Sequence, residues 1–510
     1  MGFFVSAYFV LRYGGLWIEN DTAVFSQITS QMLHYRSVLF LGQYVHGFGY
    51  PAWMGSLSLL SGVSVPILDT IVLPFAGMLF LIVSTYVLYG LVLKHERHTM
   101  LAVLLLFAVP DLLFTVVRGN HEKLNVFFMV LALFSLIKGY KAISCGDVTS
   151  TWKWIGLFYV QVFINATVND YFGSTFAAAA AATFLSGVLL QGRVQNINQF
   201  RPQVLRYSGI VAVSWLMVLW VMLYVFPPAG ADLGLAHSAL QKFLNLFLTL
   251  HTSSNPYVAP TQQWAGKAAL ALVSAFRWIL FLTSFTVWAR DLVLLFTSRR
   301  RYGLSYLFLL GLYGSFGFLV FAAIPLDFTG LNAGTNLEVR NFPYYALVAA
   351  PLMALGINRL LSKIGNDVNH KVAHRVRGSL GVIFSLFVVV SLLKVTLDPL
   401  MSNLWMYFTP AESQALRAFW QESVYTTLWA GPDNRLVYVA DAWFGRDPGS
   451  NQVAGYGYQT TERDLLISAQ VIQNSLVQNF TIPNYSKQNL IYNDGGAEIY
   501  RMAPQTPFEN

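Results

Sequence analysis

Residues 65–93 read VPILDTIVLPFAGMLFLIVSTYVLYGLVL, with one acid, Asp69, and no basic side chain. At 1.5 Å per helical residue, a stretch of this length crosses a hydrocarbon core of about 30 Å. Similar apolar stretches recur at roughly 2–15, 99–117, 123–140, 154–168, 172–190, 207–226, 268–296, 304–324, 342–361 and 379–397. The 510-residue chain is 55% hydrophobic and 11% charged, whereas soluble domains average about 25% charged residues. These patterns predict a polytopic α-helical membrane protein of about eleven transmembrane helices.

The first span is short, since ~14 helical residues fall short of a ~30 Å core. A shallow helix or a start upstream of Met1 would account for it. No small-residue cleavage site precedes Glu19, so no cleavable signal peptide is expected.

Orientation follows from the basic residues between spans. One set of loops holds Lys94, Arg97, Lys138, Lys141, Lys153, Arg193, Arg201, Arg206, Arg299, Arg300, Arg301, Lys363, Lys371, Arg375 and Arg377. The alternate set holds only Arg36, Arg118, Lys123, Lys242, Lys267 and Arg340. The richer set is assigned to the cytoplasm of a plasma-membrane protein, which turns residues 14–64 and everything after about 398 outward. The net charge of +8 resides largely in the inner loops. It is expected to meet anionic lipid head groups, with no nucleic-acid partner. The single Cys145 permits no internal disulfide.

Within the outer loop 14–64, Gly47-Phe48-Gly49-Tyr50-Pro51 is expected to separate two surface helices. A further outer segment, 227–267, carries an amphipathic stretch from Leu235 to Leu250. The chain divides into a transmembrane domain, 1–398, and a small soluble α+β domain, 399–510. In the latter, Thr409-Pro410-Ala411-Glu412 reads as a capping box opening a helix. Residues 435–440 read as a strand, Thr461 to about Gln478 as a helix, and 490–500 as a hairpin around Asn493-Asp494-Gly495-Gly496.

Charged groups near a bilayer persist mainly where they carry function. Trp17-Ile18-Glu19-Asn20-Asp21 places two acids just after the first span, in a loop also holding Phe25, Tyr44, Tyr50 and Trp53. An ionised carboxylate there suits proton acceptance from a hydroxyl, or a divalent cation beside a phosphate; a solvated structural pair is the bland reading. Arg118-Gly119-Asn120-His121-Glu122-Lys123 crowds ionisable residues into a tight outer turn. It is either a snorkelling polar cap or a second acid, Glu122, opposite Asp21, with Arg118, His121 or Lys123 meeting a phosphate. Asp170 beside Tyr171 contacts substrate or caps a helix. Arg340, followed by Tyr344 and Tyr345, grips a lipid-linked phosphate or anchors the span. Arg277 lies deep enough in its span to require a partner, and Asp111 is a reserve acid.

This layout resembles the GT-C superfamily of membrane glycosyltransferases, such as protein O-mannosyltransferases and aminoarabinose transferases of lipid A. The resemblance rests on the Glu19-Asn20-Asp21 motif, Gly49-Tyr50-Pro51-Ala52-Trp53, the His121-Glu122 turn, the late Arg340 and the closing soluble domain. No Trp-Trp-Asp-x-Gly signature is present, which argues against an oligosaccharide-transferring member. The resemblance implies transfer of a monosaccharide from a polyprenyl-phosphate donor to an acceptor hydroxyl of a glycan, lipid or protein, with inversion. Asp21, Glu19 and Glu122 are the catalytic candidates. His121, Lys123, Arg340, Tyr50, Tyr345 and Asp170 are the substrate-binding ones. A divalent cation, Mg or Mn, if used, is expected on Asp21 and Glu122. The competing readings are a lipid-linked-sugar transporter or flippase, which predicts inverted repeats that the sequence lacks, and a non-catalytic envelope assembly protein.

Overall fold

The computed structural model describes residues 2–14, 17–37, 47–93, 95–117, 121–145, 147–194, 264–297, 302–328, 337–367, 370–401, 405–422, 427–431, 436, 453–454, 463–477 and 481–502. The expected span at 207–226 and the amphipathic stretch at 235–250 lie outside these residues, as does the strand at 435–440 apart from Leu436.

The chain is a multi-pass helical membrane protein. Among the described residues, five helices are long and apolar enough to cross a bilayer: Val65–Leu93, Glu122–Ala142, Ser274–Thr297, Leu304–Ile324 and Arg340–Lys363. The expectation of eleven is therefore met for five of them, with Phe3–Arg12 and Gly381–Leu393 apolar but shorter. The helix beginning at Glu122 is the most enclosed, its apolar window 72% buried against 28% for Ser274–Thr297. Leu79, Phe80, Val83 and Val87 of the first helix are exposed, as are Trp278, Leu282 and Phe285. These belts are apolar surface presented to lipid tails.

In order, α1 is Gly2–Tyr13, β1 Trp17–Glu19, α2 Asn20–Tyr35, α3 Gly49–Ser61 and α4 Val65–Leu93. The expected span 99–117 is two helices, α5 (Glu96–Phe107) and α6 (Pro110–Val117). Pro110 has no N–H to continue the ladder and disfavours helical geometry at Val109, so the chain breaks there and restarts. Then come α7 (Glu122–Ser144), α8 (Val148–Val168), α9 (Asp170–Val194), α10 (Trp264–Thr297), α11 (Leu304–Phe328), α12 (Leu337–Asp367) and α13 (His370–Met401). Polar ties cross the bundle, including Tyr89 Oη donating to the Leu347 carbonyl at 2.7 Å.

After α13 comes β2 (Trp405–Tyr407), which pairs antiparallel with β1. The remaining α+β part contains α14 (Pro410–Glu422), β3 (Leu428–Trp429), β4 (Val453–Ala454), β5 (Asp464–Ser468), α15 (Ala469–Val477), β6 (Asn489–Asn493) and β7 (Ala497–Arg501). Its sheet runs β4-β3-β5-β7-β6, parallel from β4 to β5 and antiparallel beyond. The capping box forms: Thr409 N donates to Glu412 Oε2 at 2.8 Å, and Glu412 N to Thr409 Oγ1 at 3.1 Å. The hairpin turn carries Gly495 at φ +84°.

The helix expected from Thr461 is corrected. Asp464–Ser468 is the central strand, all five residues buried, and helix begins only at Ala469. The acid that resembled a helix start instead receives Arg501, Nε to Oδ1 at 3.0 Å. Ser468 accepts from Val471 N at 3.1 Å as the actual cap.

Candidate active site

The acidic loop is held from two directions. Trp17 lies opposite Tyr407, Ile18 opposite Met406 and Glu19 opposite Trp405. The chain turns directly from this strand into α2, so Asp21 is its second residue. Two residues later Ala23 is fully buried in the core of the C-terminal α+β part, with Phe408, Leu416, Phe419 and Ile499. The side chains of Glu19 and Asp21 themselves lie outside the described residues.

One turn further, Ser26 Oγ donates to Asp69 Oδ2 at 2.7 Å, and Tyr50 Oη to Asp69 Oδ1 at 2.6 Å. Asp69 is 1% exposed and sits in a widened π-type turn, Leu68–Val72, of α4. Such turns occur mostly where a helix carries a special side chain. Here one carboxylate ties α2, α3 and α4 together. Tyr50, expected at the substrate, is fully buried and spends its hydroxyl on this tie. Sequence reading noted Asp69 as an intramembrane acid, a signal of function, but could not supply its partners.

The Gly-Phe-Gly-Tyr-Pro segment approaches the end of α8 closely. A Cβ on Gly47 (φ +153°) would lie 2.3 Å from Thr167 O, and one on Gly49 2.8 Å from the Thr167 carbonyl carbon. Only glycine fits, and the approach seats Tyr50 against Phe25, ring centroids 5.2 Å apart. Phe25 in turn meets His121 edge to face at 5.1 Å.

His121 and Asn169 immediately precede α7 and α9, and they touch: Asn169 Nδ2 lies 3.0 Å from His121 Nε2. Asn169 Oδ1 accepts from Phe172 N at 3.1 Å, capping α9 and assigning the amide nitrogen to the histidine. His121 Nε2 is then an acceptor, and Nδ1–H is the ring's donor. The contact brings two helix N-termini side by side, a disposition that favours anions. Asp170, the first residue of α9, is buried and accepts from Tyr171 N at 2.8 Å.

Glu122, 7% exposed, forms an ion pair with Arg340, Oε1 to Nε at 3.8 Å. Arg340 keeps 29% of its side chain exposed, so this cation reaches an accessible surface. Lys123 is buried, its stem passing Gly77 of α4. Tyr345 is not on the Arg340 side of α12, being five residues on and about 140° round the axis. Its hydroxyl lies 2.7 Å from that of Tyr313, which lies 3.0 Å from Ser284 Oγ. Tyr344 stacks between Phe172 and Phe176 of α9.

Arg277 has its partner: Asp111, bound through two N–H groups, one being Nε to Oδ2 at 2.9 Å. The guanidinium also lies 5.0 Å from the centre of the Phe342 ring. A second bidentate pair, Arg359 with Asp291, closes the other end of α10, Nη2 to Oδ2 at 2.7 Å. Among the described residues no three His, Cys, Asp or Glu side chains gather as a metal set. Glu122 is already engaged with Arg340, so the described residues alone do not make a cation site.

No protein-family model and no curated protein sequence matches the chain. Solved structures do. The Archaeoglobus fulgidus oligosaccharyltransferase, tethered with an acceptor peptide containing the NVT sequon, aligns at TM-score 0.53 and 12% identity, covering 100% of this chain and 75% of that one. ArnT from Cupriavidus metallidurans, bound to undecaprenyl phosphate, aligns at TM-score 0.51 and 12% identity, covering 99% and 98%. The chain shares the fold of these two proteins.

Proposed function

We infer that this chain is a membrane glycosyltransferase. It moves a monosaccharide from a polyprenyl-phosphate donor to an acceptor hydroxyl on the outer side of the plasma membrane. The observation that carries the reading is the placement of the acidic motif. It stands at the start of α2, which contacts through Phe25 the paired N-termini of α7 and α9, while α7 also carries the Glu122–Arg340 pair. The fold shared with an enzyme bound to undecaprenyl phosphate supports the donor class.

In this mechanism Asp21 takes the proton of the acceptor hydroxyl as its oxygen attacks the anomeric carbon. The bond to the lipid phosphate breaks on the opposite face, so the configuration inverts. Arg340 and the helix N-termini stabilise the departing phosphate, which gains negative charge as the bond opens. Glu122 orients Arg340 for that task. His121 offers its Nδ1–H, and Glu19 positions the acceptor. Tyr50 and Asp170 act by bracing the loop and helix that carry these groups. A divalent cation, if bound, would neutralise phosphate oxygens in the same place.

The test uses the purified full chain in liposomes with a panel of polyprenyl-phosphate monosaccharides and acceptors. Released polyprenyl phosphate and glycosylated acceptor are both measured. Stoichiometric appearance of the two is expected. Movement of intact donor between leaflets with no cleavage would make the protein a flippase instead.

A further inference from the structure

We propose that the stretch from Trp405 to Phe408 is a clamp that positions the acidic motif, making the outer domain a working part of the active site. The proposal rests on the transferase reading above. A three-residue strand such as Trp17–Glu19 has no independent stability. Among the described residues its pairing comes from Trp405–Tyr407, far along the chain. The next residue, Phe408, is fully buried in the same core that buries Ala23. Both acids therefore fall between fixed points. Glu19 is the last paired residue of the strand, and Asp21 lies between it and Ala23. The Ser26–Asp69 bond at 2.7 Å fixes the same helix from the membrane side.

The clamp is carried on a stiff support. Thr409 and Glu412 close the capping box immediately after Phe408. Glu412, fully buried, also accepts from Ser468 Oγ at 2.7 Å, joining α14 to the junction of β5 and α15. Displacement of the outer domain is thus transmitted to Glu19 and Asp21 through backbone pairing. A general base misplaced by about 1 Å costs on the order of 10²-fold in rate, so such a displacement is felt in kcat. Donor binding is affected less, because Arg340 belongs to α12 and not to the clamped segment.

The test combines two variants of the full chain in a Cys145→Ser background. Ile18→Cys with Met406→Cys places thiols directly opposite each other in the antiparallel pair. Oxidation is expected to cross-link them, and the cross-linked enzyme is expected to keep its kcat. Met406→Pro removes a backbone donor from the strand. It is expected to lower kcat by roughly 10–100-fold, with donor KM and the yield of folded protein unchanged, while Met406→Val restores kcat. Failure to cross-link in an active enzyme, or a Met406→Pro variant with unaltered kcat per folded molecule, overturns the clamp alone. A wild-type chain inactive on every donor removes the transferase reading and the clamp together.

Discussion

Arg340 Nε stands 3.8 Å from Glu122 Oε1, joining the start of the most enclosed helix to that of α12. The separation is long for a hydrogen bond and the arginine is partly exposed, so the pair itself adds at most about 1 kcal/mol to stability. In the proposed mechanism its value would lie in holding a guanidinium at the surface, where phosphate oxygens could meet two of its N–H groups.

Arg340→Ala takes this partner from the buried Glu122 carboxylate, so a fall in thermal stability is expected beside the effect on binding. It should weaken binding of undecaprenyl phosphate by about tenfold or more, as the loss of a charged hydrogen-bond partner does. Native mass spectrometry of the detergent-solubilised protein reads both quantities. Equal affinity of variant and wild type would remove Arg340 from the donor site.

The two acids of the loop are separable by kinetics. Asp21→Asn should lower kcat by about 10²–10⁴-fold, the usual contribution of a general base. Glu19→Gln should cost less in kcat and raise acceptor KM. The reverse ranking in steady-state transfer assays would hand the base role to Glu19.

Asp69 accepts two hydroxyl bonds in a site closed to water, so its removal strands two donors. Asp69→Ala is expected to destabilise the protein by about 2–5 kcal/mol, read as a clear fall in Tm. Tyr50→Phe removes one bond to a charged group and should cost about 1.5–3 kcal/mol. Because both act on one carboxylate, the double variant should cost less than the sum of the singles. Strict additivity would mean that the two side chains are not coupled through Asp69.

Arg277 and Asp111 make a structural pair, and losing one partner strands a charge inside the bundle. Arg277→Met and Asp111→Leu should each lower the yield of folded protein. The double replacement should restore much of it, as apolar substitution of enclosed ion pairs often does. Fluorescence-detected size exclusion reports this directly. If the double variant folds normally yet loses sugar transfer, Asp111 returns to the list of reacting acids.

Sequence alone determined the membrane class, because residues such as those of 65–93 have no alternative to a helix in hydrocarbon. It also determined two local features of the C-terminal α+β part. The Thr409–Glu412 capping box and the hairpin ending at Arg501 are closed by bonds between near neighbours. Features with distant partners were not legible. Thr461-Glu-Arg-Asp464 carries helix-start residues, yet Leu465, Leu466 and Ile467 are buried on both faces of a sheet. Burial there outweighs local propensity. The same holds at the candidate site. Arg277 announced a need for a partner, and only packing chose Asp111. Asp69 announced a role, and only packing brought Ser26 and Tyr50 to it. Tyr345 shares a segment with Arg340 but faces Tyr313, because helical rotation separates them. The pairing of Trp17–Glu19 with Trp405–Tyr407 has no local cause at all. It exists because tertiary folding brings Trp405–Tyr407 back beside a strand near the chain's beginning.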